Sequence, residues 1–255
     1  MTEPAGIQET GLRRVLLRTY WRLEKLLTPR LDYSQHQYEA FLARAVAPGC
    51  RWLDLGCGHQ LLPAWRPDGE KSLVARAKLL VGLDPEIEAL HRHRTIVTRA
   101  GGMASSLPFA NEVFDLVTAN MVVEHLSNPV EAFGEVQRVL RSGGRFVFHT
   151  PNLWGHQTII ARLMPERLKG VGVAILEGRA EADLFRTYYR ANSKEQIRVL
   201  AERCGFRVVS VEFIAATAMF ALATPLAVLE LLWIRLTMNW LPTLRTNMIV
   251  TLERP

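Results

Sequence analysis

Two aspartates and two glycines lie where parallel strands would end, and their types suit a nucleotide-like ligand. Asp54, Gly56 and Gly58 follow one short apolar run, and Asp84 closes a second. Glycine lets a backbone turn sharply and approach a ligand, although a plain strand-to-helix turn uses the same residues. An acid at the end of the second strand can accept both hydroxyls of a ribose. Asp84 also suits a helix N-cap, with Pro85 behind it, and the two roles are compatible.

The elements that must position these residues alternate between strands and helices. Apolar residues at helical spacing predict helices between the strands, and Pro129–Arg141 is the clearest. Such alternation implies right-handed crossovers and a parallel sheet covered on both faces, where ligands bind beyond the carboxyl ends of the strands. The predicted strands are Arg51–Leu55, Leu79–Leu83, Thr95–Arg99, Phe114–Ala119, Arg145–Thr150, Phe206–Phe213 and Asn247–Glu253.

Several motifs occur in one order along the chain. They are LDLGCG at 53–58, GLD at 82–84, SSLPFANEVFDLV at 105–117, EHL at 124–126 and the run from EVQRVLRSGG to FHTPN. With them the chain resembles the class I S-adenosylmethionine-dependent methyltransferases, most of all the type 11 branch that includes the ubiquinone and menaquinone biosynthesis enzymes. The resemblance covers about residues 46–152 and the tail strands. It implies an α/β fold with a seven-stranded, mostly parallel, doubly wound sheet whose final strand is antiparallel.

The resemblance also implies a cofactor, S-adenosylmethionine, and a place for each matching residue. Those residues are Asp54, Gly56 and Gly58 in the loop beneath the methionine part, Asp84 at the ribose hydroxyls, Ala104 and Ser105 beside the adenine, and Asn120 facing the methionine and the transferred methyl.

Three departures from the family pattern bear on affinity and loop geometry. Gln60 stands where the family has its third loop glycine, and Met103 stands where an acid often contacts the adenine amine. Leu61–Leu73 adds a Pro-Gly-rich loop between the two aspartates. Because Asp54 and Asp84 remain, cofactor binding is still predicted.

A methyl acceptor that is a weak acid needs a general base, and a group with a pKa near 7 suits that task. His125 follows the fourth predicted strand, on the family's frequent Glu-His pair, and is the candidate base. A packing or capping role near the pocket is an equally good interpretation of His125. For His149 and His156 packing is favoured, and Tyr188 and Tyr189 suit either an acceptor pocket or ordinary packing.

Composition and charge exclude several classes of protein. The 255 residues are 49% apolar and 22% charged, which is typical of a globular chain and not of a disordered one. Three scattered cysteines form neither a disulfide framework nor a metal pattern, so a reducing compartment and no metal are expected. No apolar run opens the sequence, so no signal peptide is expected.

The net charge of +6 is concentrated near the start of the chain. Residues 11–30 carry six cations against Glu24 alone, which gives +5. No nucleic-acid partner is expected, since the basic charge lies in one helix-length segment without an aromatic-basic platform.

Two segments suggest membrane contact, each with alternatives. The predicted helix 11–31 is apolar on one face and basic elsewhere, as in membrane-surface helices, but the first helix that lids the cofactor pocket is equally suitable. The apolar insert 215–245 overlaps 17 consecutive uncharged residues at 213–229. A span would separate the last strand from its sheet, and Pro225 interrupts it. A buried cap, a shallow re-entrant hairpin and a dimer contact remain.

The sequence as a whole predicts a single domain over residues 1–255, with an acceptor-side insert at 152–190. Its predicted function is methyl transfer from S-adenosylmethionine to a small or lipid-linked acceptor, at oxygen or carbon. The predicted location is the cytoplasm, with peripheral contact at the inner face of an anionic membrane. Two other classes stay open, namely a non-catalytic scaffold that kept the fold and, less favoured, an RNA methyltransferase.

Overall fold

The computed structural model describes residues 11–164 and 186–255. Residues 165–185 of the predicted acceptor-side insert, and residues 1–10, lie outside this description. In chain order the elements are α1 Gly11–Leu27, α2 Ser34–Ala45, β1 Arg51–Leu55, α3 Pro67–Arg76, β2 Leu79–Asp84, α4 Ile87–His91, β3 Thr98–Gly101, β4 Phe114–Asn120, α5 Pro129–Val139, β5 Leu140–Pro151, α6 His156–Leu163, α7 Lys194–Arg203, β6 Arg207–Ile214, α8 Thr224–Asn239 and β7 Asn247–Glu253.

The described residues form two compact units. The sheet unit comprises Gln35–Pro151, Thr187–Glu212 and Met248–Pro255. The helical unit comprises the described residues of Met1–Ser34, Asn152–Arg186 and Phe213–Asn247. The helical unit therefore draws on the three segments that the sequence sets apart from the strand-helix alternation.

The sheet has seven strands in the order β3-β2-β1-β4-β5-β7-β6 among the described residues. β1 pairs in parallel with β2 and β4, and further parallel pairs join β2 to β3 and β4 to β5. β7 is antiparallel, because Arg254 just beyond its end exchanges backbone hydrogen bonds with Gly143 and Gly144 near the start of β5, at 2.7 and 2.9 Å. The predicted fold class is confirmed. The strand order reverses between β1 and β4, so the carboxyl ends of β1, β2 and β4 adjoin there.

An aromatic core holds α5 against the sheet. Phe133 of α5 lies edge-on to Phe146 and Phe148 of β5, with ring centroids 5.3 and 5.7 Å apart. All three rings are buried, and each contributes roughly 1.5–3 kcal/mol by leaving water. This packing fixes β5, the strand that carries His149 and Thr150 near its carboxyl end.

Two strands, β3 and β5, begin several residues away from their predicted starts. β3 begins at Thr98 and not at Thr95, because the His93 ring Nδ1 accepts the backbone N–H groups of Thr95 and Ile96 at 3.3 and 3.1 Å. Those two residues are therefore tied into a turn. β5 begins at Leu140, which pairs with Phe114, so α5 stops at Val139 two residues before its predicted end.

Two helix bounds also differ. The predicted loop Leu61–Leu73 contains the start of α3 at Pro67, and Glu70 in that helix accepts the Leu62 N–H at 2.9 Å. The predicted helix 11–31 ends at Leu27, since Pro29 has no N–H to continue it.

In the helical unit, α1 and α8 share an apolar cluster. Tyr20 of α1 is buried together with Ala227, Leu231 and Ile234 of α8, and Leu23 packs against them. The apolar face of α1 is thus occupied by protein. Among residues 11–164 and 186–255, no helix combines the length and the apolar character needed to cross a bilayer.

Glu230 is a buried acid in the middle of apolar α8. Its Oε1 accepts the Met219 N–H at 2.8 Å and lies 2.8 Å from His156 Nε2, and its Oε2 accepts the Phe220 N–H at 2.9 Å. Burial alone would raise the pKa of Glu230, but hydrogen bonds from His156, Met219, Phe220 and Gln157 hold it below its ordinary value. This carboxylate ties α6 and the loop before α8 to one point.

We expect Glu230→Ala to destabilise the chain by about 3 kcal/mol, because several buried donors lose their acceptor. The folded pKa of Glu230 lies below its ordinary value of 4.5, so this contribution is present at neutral pH and lost as the pH falls through the folded pKa. Urea denaturation at neutral and acidic pH measures both effects. Glu202→Ala, on the exposed side of α7, is the matched control, and equal losses in the two variants would contradict the assignment.

Candidate active site

The loop after β1 turns sharply at two glycines. Gly56 and Gly58 have φ values of 62° and 52°, in the left-handed region that favours glycine. The N–H groups of Gly56 and Cys57 donate to the Leu83 carbonyl at 2.7 and 3.2 Å, which clamps the loop to the end of β2. A Cβ on Gly56 would lie 2.4 Å from Val122, whereas a Cβ on Gly58 would meet nothing within 4 Å. Gly58 therefore borders open space, as a ligand-facing residue requires.

The Asp84 carboxylate joins the two strand ends. Its Oδ2 accepts the Gly58 N–H and its Oδ1 accepts the Glu86 N–H, both at 2.8 Å. A carboxylate oxygen has two lone pairs, so each oxygen can still accept one further donor, such as a ribose hydroxyl. The turn-forming role and the ligand role are compatible in this geometry.

Asp54 is buried in β1 and bonded to β4. Its Oδ1 accepts the Thr118 hydroxyl at 2.5 Å, and the Trp52 indole N–H donates to the same hydroxyl at 2.6 Å. Burial raises the pKa of Asp54 to about 7, the Thr118 hydrogen bond opposes this, and the charges of Glu70 and Asp84 raise it further. A carboxyl group that titrates near neutrality changes charge readily when another charge arrives beside it.

Ala104 and Ser105 lie in a hydrogen-bonded turn over residues 103–106, after β3. The neighbouring Gly102 N–H donates to the Asp84 carbonyl at 3.2 Å, so this turn is anchored next to the acid. Ser105 is exposed and Ala104 is half-buried. The two residues implied beside an adenine thus adjoin the residue implied at the ribose.

Asn120 at the end of β4 is fixed on both sides. Its Nδ2 donates to Gln35 Oε1, and its Oδ1 lies 2.9 Å from His149 Nδ1. Burial lowers the pKa of His149 to about 3, and its ring stacks on Tyr38 at 5.6 Å. Since a carbonyl oxygen only accepts, the neutral ring carries its proton on Nδ1. His149 therefore positions Asn120, in agreement with the packing role favoured by the sequence.

The Glu-His pair divides into a buried acid and a more exposed base. Glu124 Oε2 accepts the Thr150 hydroxyl at 3.0 Å, and Thr150 in turn accepts from Asn192 Nδ2 at 2.8 Å. Burial raises the pKa of Glu124 to about 7, although its own backbone N–H and Thr150 act to lower it. His125 Nε2 lies 4.0 Å from Glu124 Oε1, and the imidazole is 29% exposed.

The backbone of Tyr188 and Tyr189 returns to this pair. Both N–H groups donate to the Glu124 carbonyl, at 2.7 and 3.2 Å. Tyr189 has a φ of 52°, and the Arg190 guanidinium lies 5.5 Å from the centre of the Tyr188 ring. The chain that follows the undescribed segment is therefore anchored beside Glu124.

Four residues of this site escape the sequence analysis: Tyr38, Thr118, Thr150 and Asn192. Thr118 bonds to Asp54 across 64 residues of chain, and Asn192 bonds to Thr150 across 42. No local pattern reports such pairs, although a threonine inside the apolar strand β4 is a weak signal. No metal-binding group of three or more His, Cys, Asp or Glu side chains occurs in the part of the chain described.

Known proteins match the central part of this chain. The family model described as "Methyltransferase domain" matches residues 53–148. The demethylmenaquinone methyltransferase of Mycobacterium sp. (strain KMS) is 30% identical over 141 residues, which cover 54% of this chain and 58% of that protein. The ubiquinone biosynthesis O-methyltransferase of Hahella chejuensis is 25% identical over 158 residues, covering 59% and 63%. The chain spans about half the length of the curated relatives it matches.

A solved structure extends the likeness over nearly the whole chain. The geranyl diphosphate C-methyltransferase of Streptomyces coelicolor A3(2), in complex with Mg²⁺, geranyl diphosphate and S-adenosyl-L-homocysteine, aligns with a TM-score of 0.54. The alignment covers 98% of this chain and 86% of that one, at 12% identity, which shows the shared fold. The resemblance to class I methyltransferases is confirmed by the family-model match over residues 53–148 and by the similarity to the mycobacterial protein.

We expect Glu124→Gln to flatten the dependence of stability on pH. The folded pKa of Glu124, about 7, exceeds its ordinary value of 4.5, so between these values the folded state holds a proton that the unfolded state has lost. Stability from this group therefore falls as the pH rises through that window. Glutamine keeps an oxygen for Thr150 and does not titrate, which should remove roughly 1–3 kcal/mol of the fall.

Urea denaturation at about pH 5 and about pH 7.5 gives the two slopes to be compared. Glu202→Gln, on the exposed surface of α7, is the control and should keep the wild-type slope. Identical slopes for wild type and Glu124→Gln would show that Glu124 does not titrate in this window.

Proposed function

We propose that this chain is an S-adenosylmethionine-dependent methyltransferase acting on a small or lipid-linked acceptor. The observation that carries the proposal is the Gly58–Asp84 hydrogen bond of 2.8 Å, which holds the glycine loop and a strand-end acid together. The methyltransferase-domain match includes both residues. The relatives named as an O-methyltransferase and a C-methyltransferase support transfer to oxygen or carbon.

The residues present fit this cofactor, which when bound supplies a methyl group on a positively charged sulfur. Gly58 borders open space, Asp84 keeps two acceptor sites, and Gln60 Oε1 is a buried acceptor without a hydrogen-bond partner among the described residues. A ligand that carries N–H donors can satisfy such an acceptor. The proposed binding set is Asp54, Gly56 and Gly58 at the methionine part, Asp84 at the ribose, Ala104 and Ser105 at the adenine, and Asn120 at the methionine end.

Asp54 gives the site a response to positive charge. Its pKa of about 7 leaves the carboxyl group partly protonated at neutral pH in the free protein. A cation beside Asp54 favours the ionised form, and the Thr118 hydroxyl stabilises the resulting carboxylate. Binding of a cationic ligand therefore lowers the protonated fraction of Asp54, and the protons lost pass to the solvent.

His125 is the proposed general base for an oxygen or carbon acid. The imidazole takes the acceptor's proton, and the neighbouring Glu124, once ionised, stabilises the imidazolium across 4.0 Å. Glu124 itself is held by Thr150 and acts through His125, so it is a positioning residue.

The proposed acceptor and location follow from the helical unit. Its first helix α1 is basic, and cationic side chains are attracted to an anionic membrane surface, which supports peripheral contact at the inner face. A lipid-linked acceptor presented at such a surface would reach the protein without crossing water as a free molecule.

We expect Asp84→Asn to weaken S-adenosylmethionine binding by roughly 10- to 100-fold, the scale of a hydrogen bond to a charged group. Asparagine keeps one oxygen for a backbone N–H, so the loop is disturbed less than by alanine. Isothermal titration calorimetry measures the affinity. Asp115→Asn is the matched control, because Asp115 lies near the amino end of β4 and the candidate site lies at the carboxyl ends of the strands.

Unchanged affinity in a folded Asp84→Asn chain would remove the ribose assignment. No binding by the wild-type chain would favour the non-catalytic scaffold.

We expect His125→Gln to lower turnover by roughly 10²-fold or more while cofactor affinity holds, because a glutamine amide cannot take a proton from the acceptor. Turnover is read as transfer of radiolabelled methyl from S-adenosylmethionine to phenolic small molecules and to a bacterial lipid extract. His91→Gln, an exposed imidazole on α4, should leave the rate unchanged. Loss of turnover and affinity together would show that His125 is structural.

A further inference from the structure

Two residues with large side chains, at the carboxyl end of the sheet, hold a backbone conformation that favours glycine. Met121 and Tyr189 have φ values of 56° and 52°. A side chain destabilises the backbone in this left-handed region, so bulky residues are uncommon there. Glu112 is the third such residue among those described, with a φ of 57°, and it lies in the turn before the amino end of β4. Two of the three strained residues therefore adjoin the candidate active site.

Met121 is held in this conformation by contacts on both sides. Its N–H donates to the His149 carbonyl at 2.8 Å, so hydrogen bonding to β5 continues one residue beyond the end of β4. The next residue, Val122, lies against the glycine loop, since a Cβ on Gly56 would lie 2.4 Å from a Val122 methyl carbon. The Met121 side chain is nevertheless 37% exposed. The fold thus keeps an apolar side chain accessible beside the glycine loop, in a strained conformation.

Tyr189 is held at the Glu-His pair. Its N–H and that of Tyr188 both donate to the Glu124 carbonyl, at 3.2 and 2.7 Å. The Tyr189 carbonyl accepts from Gln196 Nε2 at 3.3 Å, and Gln196 Oε1 accepts the Asn192 N–H at 2.9 Å. The side chain of Tyr189 stays half-buried. Hydrogen bonds to two different elements therefore impose the strain at Tyr189.

We propose that Met121 and Tyr189 are specificity-determining residues that line the place of the methyl acceptor. Backbone strain persists where the surrounding structure fixes it, and it is concentrated at sites that bind ligands. The segment 121–125 begins beside the glycine loop, at Val122, and ends at His125, the proposed base. An acceptor must lie within reach of both the methyl donor and the base, and so along this segment. The inference rests on the proposed function.

A thioether and a phenol ring offer the acceptor apolar contact and limit its size. Replacing either side chain by alanine removes that contact and leaves room for a bulkier acceptor. Alanine keeps the strain, because it keeps a Cβ, whereas glycine removes both the side chain and the strain. Comparing alanine with glycine at one position therefore separates the role of the side chain from that of the backbone.

Methyl transfer to phenols of increasing size tests the side chains. The probes are phenol, 4-butylphenol and 4-octylphenol, with radiolabelled S-adenosylmethionine as donor. We expect Tyr189→Ala and Met121→Ala each to raise the KM for the phenol that wild type prefers by about tenfold, and to shift the ratio of kcat/KM values toward the longest phenol by roughly tenfold or more. Cofactor affinity in calorimetry should hold. A merely structural role would lower the rates on all three phenols in equal proportion.

Thermal unfolding tests the strain. We expect Tyr189→Gly to melt about 2–4 °C above Tyr189→Ala, and Met121→Gly to melt above Met121→Ala by a similar amount, because glycine adopts a positive φ without a steric penalty. Glu112 provides the matched control, since it has the same φ and lies at the opposite end of β4. Glu112→Gly should gain as much over Glu112→Ala, and both variants should methylate phenols at the wild-type rate.

Calorimetry with S-adenosylmethionine separates this inference from the function on which it rests. No cofactor binding by the wild-type chain would remove the proposed function and this inference with it. With cofactor binding intact, two results would overturn the inference alone. One is wild-type protein that transfers methyl to none of the phenols, or that prefers the same phenol by the same ratio as both alanine variants. The other is a pair of glycine variants, at 121 and 189, no more stable than the alanine variants.

Discussion

A carboxyl group removed from water must find hydrogen-bond donors, and in this chain those donors belong to the loops that build the candidate site. Asp84 takes the N–H groups of Gly58 and Glu86, and so draws the glycine loop to the end of β2. Asp54 takes the Thr118 hydroxyl and joins β1 to β4. Each acid lies at or near a strand end, where the parallel sheet leaves loops free to bend toward it. The cost of burial thus fixes the loop geometry.

The same constraint organises both units. In the helical unit, Glu230 takes the N–H groups of Met219 and Phe220 and meets His156, so the loop before α8 and α6 share one acceptor. Without Glu230, α8 would offer no side-chain acceptor to the N–H groups of the loop that precedes it. The acid that interrupts the apolar insert in the sequence is therefore the residue that organises it, while the outer face of α8 stays apolar and exposed.

Burial also separates the two members of the Glu-His pair. Glu124 is enclosed by Thr150 and the returning backbone of Tyr188, and its pKa rises to about 7. His125, one residue on, keeps 29% of its side chain exposed. Glu124 is a buried acid beside an accessible imidazole. The ionisation of Glu124 is therefore coupled to the protonation of His125 more strongly than between two exposed side chains. This coupling supports a proton-accepting role for His125 with Glu124 behind it.

The sequence by itself determined what local pattern and motif order encode. β1 and β7 lie at their predicted bounds, β2 and β4 extend the predicted runs by one residue, and the doubly wound fold follows from strands alternating with helices. The glycines and acids at the strand ends were also identifiable, because their residue types report the local chemistry. Tertiary structure decided the rest. Leu140 joins β5 because it pairs with Phe114, and Thr118 bonds to Asp54 across 64 residues of chain. Both contacts join residues far apart in the chain. The charge of a buried acid depends on all the groups packed around it, so no local pattern predicts it.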